Sequence, residues 1–198
     1  MNKLCILILG FTCAIGLNCK RIIDEPSVEV EVKLDQQNAI AEIVTHGLVF
    51  KYYLTNDKGE ITTNFSEGEN FYFNFSIRNG RDDDLFINND FLSNDFLCGI
   101  QSEILLNSQP FKYLGKDKIG SGAHKLSANN EYSLIVPWMD YRESWTSLHC
   151  YFSGQKNDSL PKGVYYSTFK QSFCFDLIGE GDRLCTVNLI FKINIKIS

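Results

Sequence analysis

Residues 187–197, VNLIFKINIKI, decide the fold class. Val187, Leu189, Phe191, Ile193, Ile195 and Ile197 alternate with Asn188, Ile190, Lys192, Asn194 and Lys196. A period of two belongs to a strand with one face on a core and the other in water. A helix would need apolar residues three and four apart, and here that spacing draws asparagine and lysine into the buried stripe. The rhythm recurs upstream. In residues 28–34, VEVEVKL, Val28, Val30, Val32 and Leu34 alternate with Glu29, Glu31 and Lys33; in residues 71–78, FYFNFSIR, Phe71, Phe73, Phe75 and Ile77 alternate with Tyr72, Asn74, Ser76 and Arg78. Residues 36–44 offer the one short helical period.

Turn formers punctuate these runs at Asn56-Asp57-Lys58-Gly59, Asn79-Gly80, Gly120-Ser121-Gly122 and Gly179-Glu180-Gly181-Asp182. Short strands, tight turns and no alternation of strand with helix predict an all-β fold. The expected architecture is an immunoglobulin-like antiparallel β-sandwich, a single domain over 28–198 without parallel pairing. Aromatic residues make up 13% of the 198-residue chain, far from the composition of a disordered one. A net charge of -5 argues against nucleic acid as a partner.

The compartment is read from residues 1–20, MNKLCILILGFTCAIGLNCK. The apolar stretch 4–17 behind Lys3 falls short of the roughly 20 residues that span a bilayer. It suits a secretory signal peptide over 1–18. Ala14-Ile15-Gly16 offers the small residues that an ordinary signal peptidase reads, and a second cut lies just before Cys19. Gly16-Leu17-Asn18-Cys19 resembles the lipobox of bacterial lipoproteins in its looser, spirochaete-like form. Gly16 and Asn18 stand where the usual box has Leu and a small residue. That resemblance implies a lipid on the Cys19 sulfur, a lipidated tether over 19–27, and membrane lipid as the first partner. The implied location is the cell envelope, on the outer membrane or surface rather than the inner membrane.

Cysteine counting agrees. Of seven cysteines, Cys5 and Cys13 leave with the leader, and lipidation accounts for Cys19. Cys98, Cys150, Cys174 and Cys185 remain for two disulfides, as expected of an exported chain. The turn at 179–182 favours Cys174 with Cys185 and leaves Cys98 with Cys150. Strand phase objects: with Phe173, Phe175, Val187 and Leu189 facing the core, Cys174 points out and Cys185 points in. A bulge near the turn, shifting one arm by a residue, would remove the conflict.

The stretches ENFYFNFSIRNGRDDDLFI, KLSANNEYSLIVPW and LPKGVYYSTF, in that order, are similar to the bacterial BsuPI-type proteinase inhibitor domain. Asn79, Tyr132, Trp138, Pro161, Gly163 and Tyr165 match over 69–169. The resemblance implies the same sandwich and, as an alternative function, a secreted or periplasmic proteinase inhibitor.

Catalytic chemistry is hard to assemble. His46, His124 and His149 are scattered, without the spacing of a zinc site, and neither a Gly-x-Ser-x-Gly turn nor a phosphate-binding glycine loop occurs. His149 beside Cys150 could suggest a thiol and its base, but adjacent strand residues face opposite ways. Residues 81–95, RDDDLFINNDFLSND, carry Asp82, Asp83, Asp84, Asn88, Asn89, Asp90, Asn94 and Asp95, the oxygen ligands calcium prefers. Their spacing breaks the EF-hand pattern, and they read as solvated turns around a strand over 85–87. The binding candidates lie in residues 137–145, PWMDYRESW: Trp138 closes the core, while Tyr141, Arg142 and Trp145 offer rigid area and polar handles to a protein or glycan. The expectation is therefore a domain that binds rather than catalyses, without cofactor or metal.

Overall fold

The computed structural model describes residues 26–88, 116–118, 123–139, 150–152, 159–177 and 183–198. The leader, Cys19, Asn89, Asp90, Asn94, Asp95, Cys98, Tyr141, Arg142, Trp145 and His149 lie outside them. The described residues are all-β. The strands are β1 (Ser27–Val32), β2 (Ile40–Thr45), β3 (Leu48–Asn56), β4 (Asn64–Phe65), β5 (Phe71–Asn79), β6 (Leu85–Asn88) and β7 (Lys116–Lys118). They continue with β8 (Ala123–Leu126), β9 (Glu131–Pro137), β10 (Cys150–Phe152), β11 (Gly163–Gln171), β12 (Cys174–Leu177), β13 (Arg183–Cys185) and β14 (Asn188–Ile197).

One sheet runs β1-β14-β11, with β4 also on β14; a second runs β2-β3-β5-β9; a third runs β13-β12-β6-β8; and β7 pairs with β10. The two larger sheets face each other across a core of aromatic and branched side chains. From β14 come Leu189, Phe191, Ile193, Ile195 and Ile197, each at most 4% exposed. They share one core cluster with Phe50 and Tyr52 of β3 and Phe73 and Phe75 of β5. The Phe191 ring lies 6.4 Å from Tyr52 and 6.1 Å from Phe75, both edge-on. Phe173, just before β12, lies 5.1 Å from Phe50 and 5.6 Å from Phe75, so the third sheet joins the same core. Burying each such ring contributes about 1.5–3 kcal/mol. Tyr52 brings a hydroxyl into this apolar layer, where it shares a 2.6 Å hydrogen bond with Ser167 of β11. The bond links the two sheets and leaves neither hydroxyl unpaired.

The alternation read from the sequence holds in detail, with exceptions that have causes. Val28 is 43% exposed at the outer end of its run, and Val187 is 36% exposed where the chain changes phase ahead of β14. On β5 the second face is also covered: Asn74 and Ser76 are buried between the flanking strands β3 and β9. The short helix expected over 36–44 is replaced by a turn and β2. Ala41 and Ile43 point inward while Val44 is 64% exposed, the pattern of a strand on a core. A two-residue turn joins β2 to β3, with φ of 53° at His46 and 76° at Gly47, both in the left-handed region that such hairpins require. A Cβ on Gly47 would lie 2.8 Å from Arg81 Cγ, so the position has no room for a side chain.

Parallel pairing, which the sequence reading did not expect, occurs twice among the described residues. Both β1 and β4 run parallel to β14. They lie on the side of β14 opposite to β11: β1 covers Asn188 to Ile193, and β4 takes Lys196 and Ile197. Asn194 stands in the gap, donating 2.9 Å to the Val32 carbonyl where β1 departs. Turn signals govern orientation only for strands joined by a hairpin. β1 and β14 stand at opposite ends of the domain, so no turn constrains their direction.

The disulfide conflict is resolved as well. Cys174 and Cys185 are bonded and directly opposite in the β12–β13 pair, and both sit on the outer face. The change of phase is not at the turn. It comes two residues after Cys185: Thr186 turns inward, its hydroxyl accepting from the Phe173 N–H at 3.0 Å, and β14 resumes with Leu189 inward. One extra residue at Val187 and Asn188 puts Cys185 outside while leaving Leu189 inside.

Candidate functional site

The outer face of the second sheet carries a recess of about 400 Å³. Register places its parts. Tyr53 on β3, Asn74 on β5 and Ile135 on β9 stand directly opposite one another, and Thr55 stands opposite Tyr72 in the next row. Side chains two residues apart share a face, so these five project from one surface. Ile61, bridged to Thr55, extends the surface beyond β3.

The rim is a stapled turn. The Asn56 side chain accepts from the backbone N–H of Lys58 at 3.0 Å and of Glu60 at 2.9 Å, and donates to the Glu60 carboxylate at 2.8 Å. This is the loop expected from Asn56-Asp57-Lys58-Gly59, and it brings Asp57 and Gly59 to the edge of the recess.

The floor is polar and buried. Asn74 is 6% exposed and Thr55 8%. Asn74 Nδ2 donates to Thr55 Oγ1 at 3.0 Å and to the Tyr72 carbonyl at 3.1 Å, which uses both of its hydrogens and fixes the amide plane. Among the described residues, no donor reaches Asn74 Oδ1 and no acceptor takes the Thr55 hydroxyl hydrogen. A buried acceptor and a buried donor thus stand side by side beneath an open recess. The walls are apolar and aromatic: Ile61 is 45% exposed and Ile135 49%. Burial, and then the negative charge of Glu131, raise the Tyr53 phenol above its usual pKa, so the ring enters the site neutral.

Those residues singled out from the sequence that the structure describes fall elsewhere. Trp138 closes the core as expected, its ring stacked 5.8 Å from Phe71. Asp83 is held by Arg81 at 2.7 and 2.9 Å. Asp84 accepts from Lys125 at 2.6 Å and from the Ala128 N–H at 3.0 Å. Both carboxyls therefore titrate below their usual range, each chiefly through its hydrogen-bonded cation. No group of three His, Cys, Asp or Glu is poised to hold a metal among the described residues. Cys150 opens β10 opposite Lys118, and its expected partner Cys98 is outside the described residues.

Residues on which the resemblance to the inhibitor domain was read are structural here. Asn79 is fully buried and donates to the carbonyls of Asp83 at 2.8 Å and Leu126 at 3.2 Å. Tyr165 reaches back from β11 to donate 2.8 Å to the Pro161 carbonyl. A Cβ on Gly163 would lie 3.2 Å from the Tyr165 ring, so the glycine makes room for it.

Sequence reasoning missed the recess because it sent Tyr72 and Asn74 to solvent and stopped there. Two outward tyrosines on strands of opposite phase, in KYYLTN and FYFNF, were the available signal; only the register shows that they converge. Comparison with family models, curated proteins and solved structures finds no match to this chain.

Proposed function

We propose that the chain is an exported bacterial lipoprotein, held to a membrane by a lipid on Cys19, whose β-sandwich binds a ligand rather than catalysing a reaction. The observation that carries this reading is the Cys174–Cys185 disulfide. Disulfides persist in oxidising compartments, where exported chains reside, so the bond agrees with the leader and with lipidation of the otherwise unpaired Cys19. It also supports reading the body cysteines as structural rather than as nucleophiles. An immunoglobulin-like arrangement is supported by the facing sheets and by Tyr165, whose hydroxyl bonds the backbone four residues upstream as in the tyrosine corner of such sandwiches. The disulfide lies within one sheet rather than between two, a departure from that plan. Because Asn79, Pro161, Gly163 and Tyr165 brace the fold, the likeness to the inhibitor domain bears on architecture rather than on inhibition.

The test is fractionation of the native cells. The wild-type chain is expected in the membrane fraction and Cys19→Ala in the soluble fraction, since the lipid supplies the anchor. Equal membrane retention of both would sink the lipoprotein reading.

A further inference from the structure

We propose that the recess over Asn74 and Thr55 is a binding site for a neutral saccharide. The proposal rests on the reading of the domain as a binding module and names the class of its ligand. The floor offers one acceptor, Asn74 Oδ1, and one donor, the Thr55 hydroxyl, adjacent and buried. A ligand hydroxyl can donate to the first and accept from the second, and a sugar presents hydroxyls in neighbouring pairs. Leaving such buried groups unpaired costs about 1–3 kcal/mol each, which a matching ligand recovers on binding. A site built this way rejects analogues that lack the hydroxyl.

The walls suit the rest of a sugar. Its ring carries C–H groups on each face, which pack against the aromatic faces of Tyr53 and Tyr72 and against the exposed Ile61 and Ile135. At about 400 Å³ the recess is at the small end of ligand pockets and holds one or two sugar rings rather than a folded partner.

Charge excludes the anionic alternatives. Among the described residues Asp57 is the one charged residue lining the recess, and no lysine, arginine or histidine joins it, so the lining supplies no cation to pair with a phosphate, a sulfate or an acidic sugar. β3 and β5, which carry the floor, are each paired on both sides, so a peptide cannot add itself to either of them as a strand. The site is preorganised: its floor and walls stand mostly on paired strands, and the Asn56 staple fixes its rim.

The test is binding of the purified full-length protein in detergent to an array of neutral hexose and N-acetylhexosamine oligosaccharides, printed beside sialylated and sulfated ones. Binding to a subset of the neutral glycans is expected. Asn74→Ala and Tyr53→Ala should each weaken it about tenfold or more. Tyr53 is partly buried on the sheet's outer face and makes its strand pairing through the backbone, so Tyr53→Ala should stay folded at the assay temperature, checked by its unfolding midpoint, even where Asn74→Ala loosens β5. Three results overturn the assignment: no neutral glycan bound, binding confined to the charged glycans, or binding undiminished in Tyr53→Ala. Any of these combined with soluble release of Cys19→Ala removes the saccharide site and leaves the lipoprotein reading intact.

Discussion

Asn79 shows how much one side chain holds. It ends β5 fully buried, donates to the nearby Asp83 carbonyl and to the Leu126 carbonyl from a distant segment, and accepts from the Arg81 N–H at 3.0 Å. An isolated amide would be costly in such a place; here each polar atom is paired, and the three bonds bind the turn at 80–84 to the end of β8. Asn79→Ala removes the partner of the buried Leu126 carbonyl and of the part-buried Asp83 carbonyl and Arg81 N–H. The expected loss is about 2–4 kcal/mol, read from the urea midpoint at unchanged slope. A change under about 0.5 kcal/mol would mean that the site is open to water. The sequence marks Asn79-Gly80 as a turn, and a turn it is. That its amide reaches Leu126 was not legible, because local signals carry no information about a segment 47 positions away.

At the scale of elements, two strand pairs carry separate tests. The Cys174–Cys185 bond closes a separation of 11 residues, for which restricting the unfolded chain contributes roughly 2–3 kcal/mol. Cys174→Ser with Cys185→Ser should lose about that much. Further loss in this variant on adding reductant would report the second bridge expected between Cys98 and Cys150; no further loss would leave the molecule with one.

The edge strand β1 is tied to β14 partly by Glu31, which accepts from Asn194 at 3.0 Å and pairs with Lys192 at 2.9 Å. Those two contacts, Asn194 first, hold the Glu31 carboxyl below its ordinary 4.5. Its folded pKa lies under its unfolded one, so its contribution is present above pH 4.5 and lost as pH falls through the folded value. Glu31→Gln should therefore lower stability at neutral pH, flatten the acid limb below that point and converge on the wild type at low pH. An unaltered acid limb would show that the pair contributes nothing. The alternation of β1 and β14 was plain in VEVEVKL and VNLIFKINIKI. Their parallel pairing was not, because period two reports which face is buried and says nothing about which strand lies alongside.

For the molecule as a whole, the legible part is the part that obeys a short period. Phe71, Phe73, Phe75 and Ile77 announce an inward face, and Leu189 to Ile197 announce its partner; together they imply two layers. The candidate site is different in kind. Tyr53, Thr55, Tyr72 and Asn74 come from two strands and become a site only through cross-strand register, so no run of sequence displays it. The leader is the reverse case: a local reading of Cys19 that the fold neither needs nor constrains. The Cys174–Cys185 disulfide connects the two, because an oxidising compartment suits both a lipid anchor on Cys19 and a bridged domain.

Intact mass of the unreduced protein from the membrane fraction of its own cells tests that junction most directly. The account predicts a chain starting at Cys19, heavier by several acyl groups and lighter by two hydrogens for each disulfide. A chain that starts after Gly16, carries no lipid and gains no mass on reduction would contradict both the anchor and the oxidising compartment.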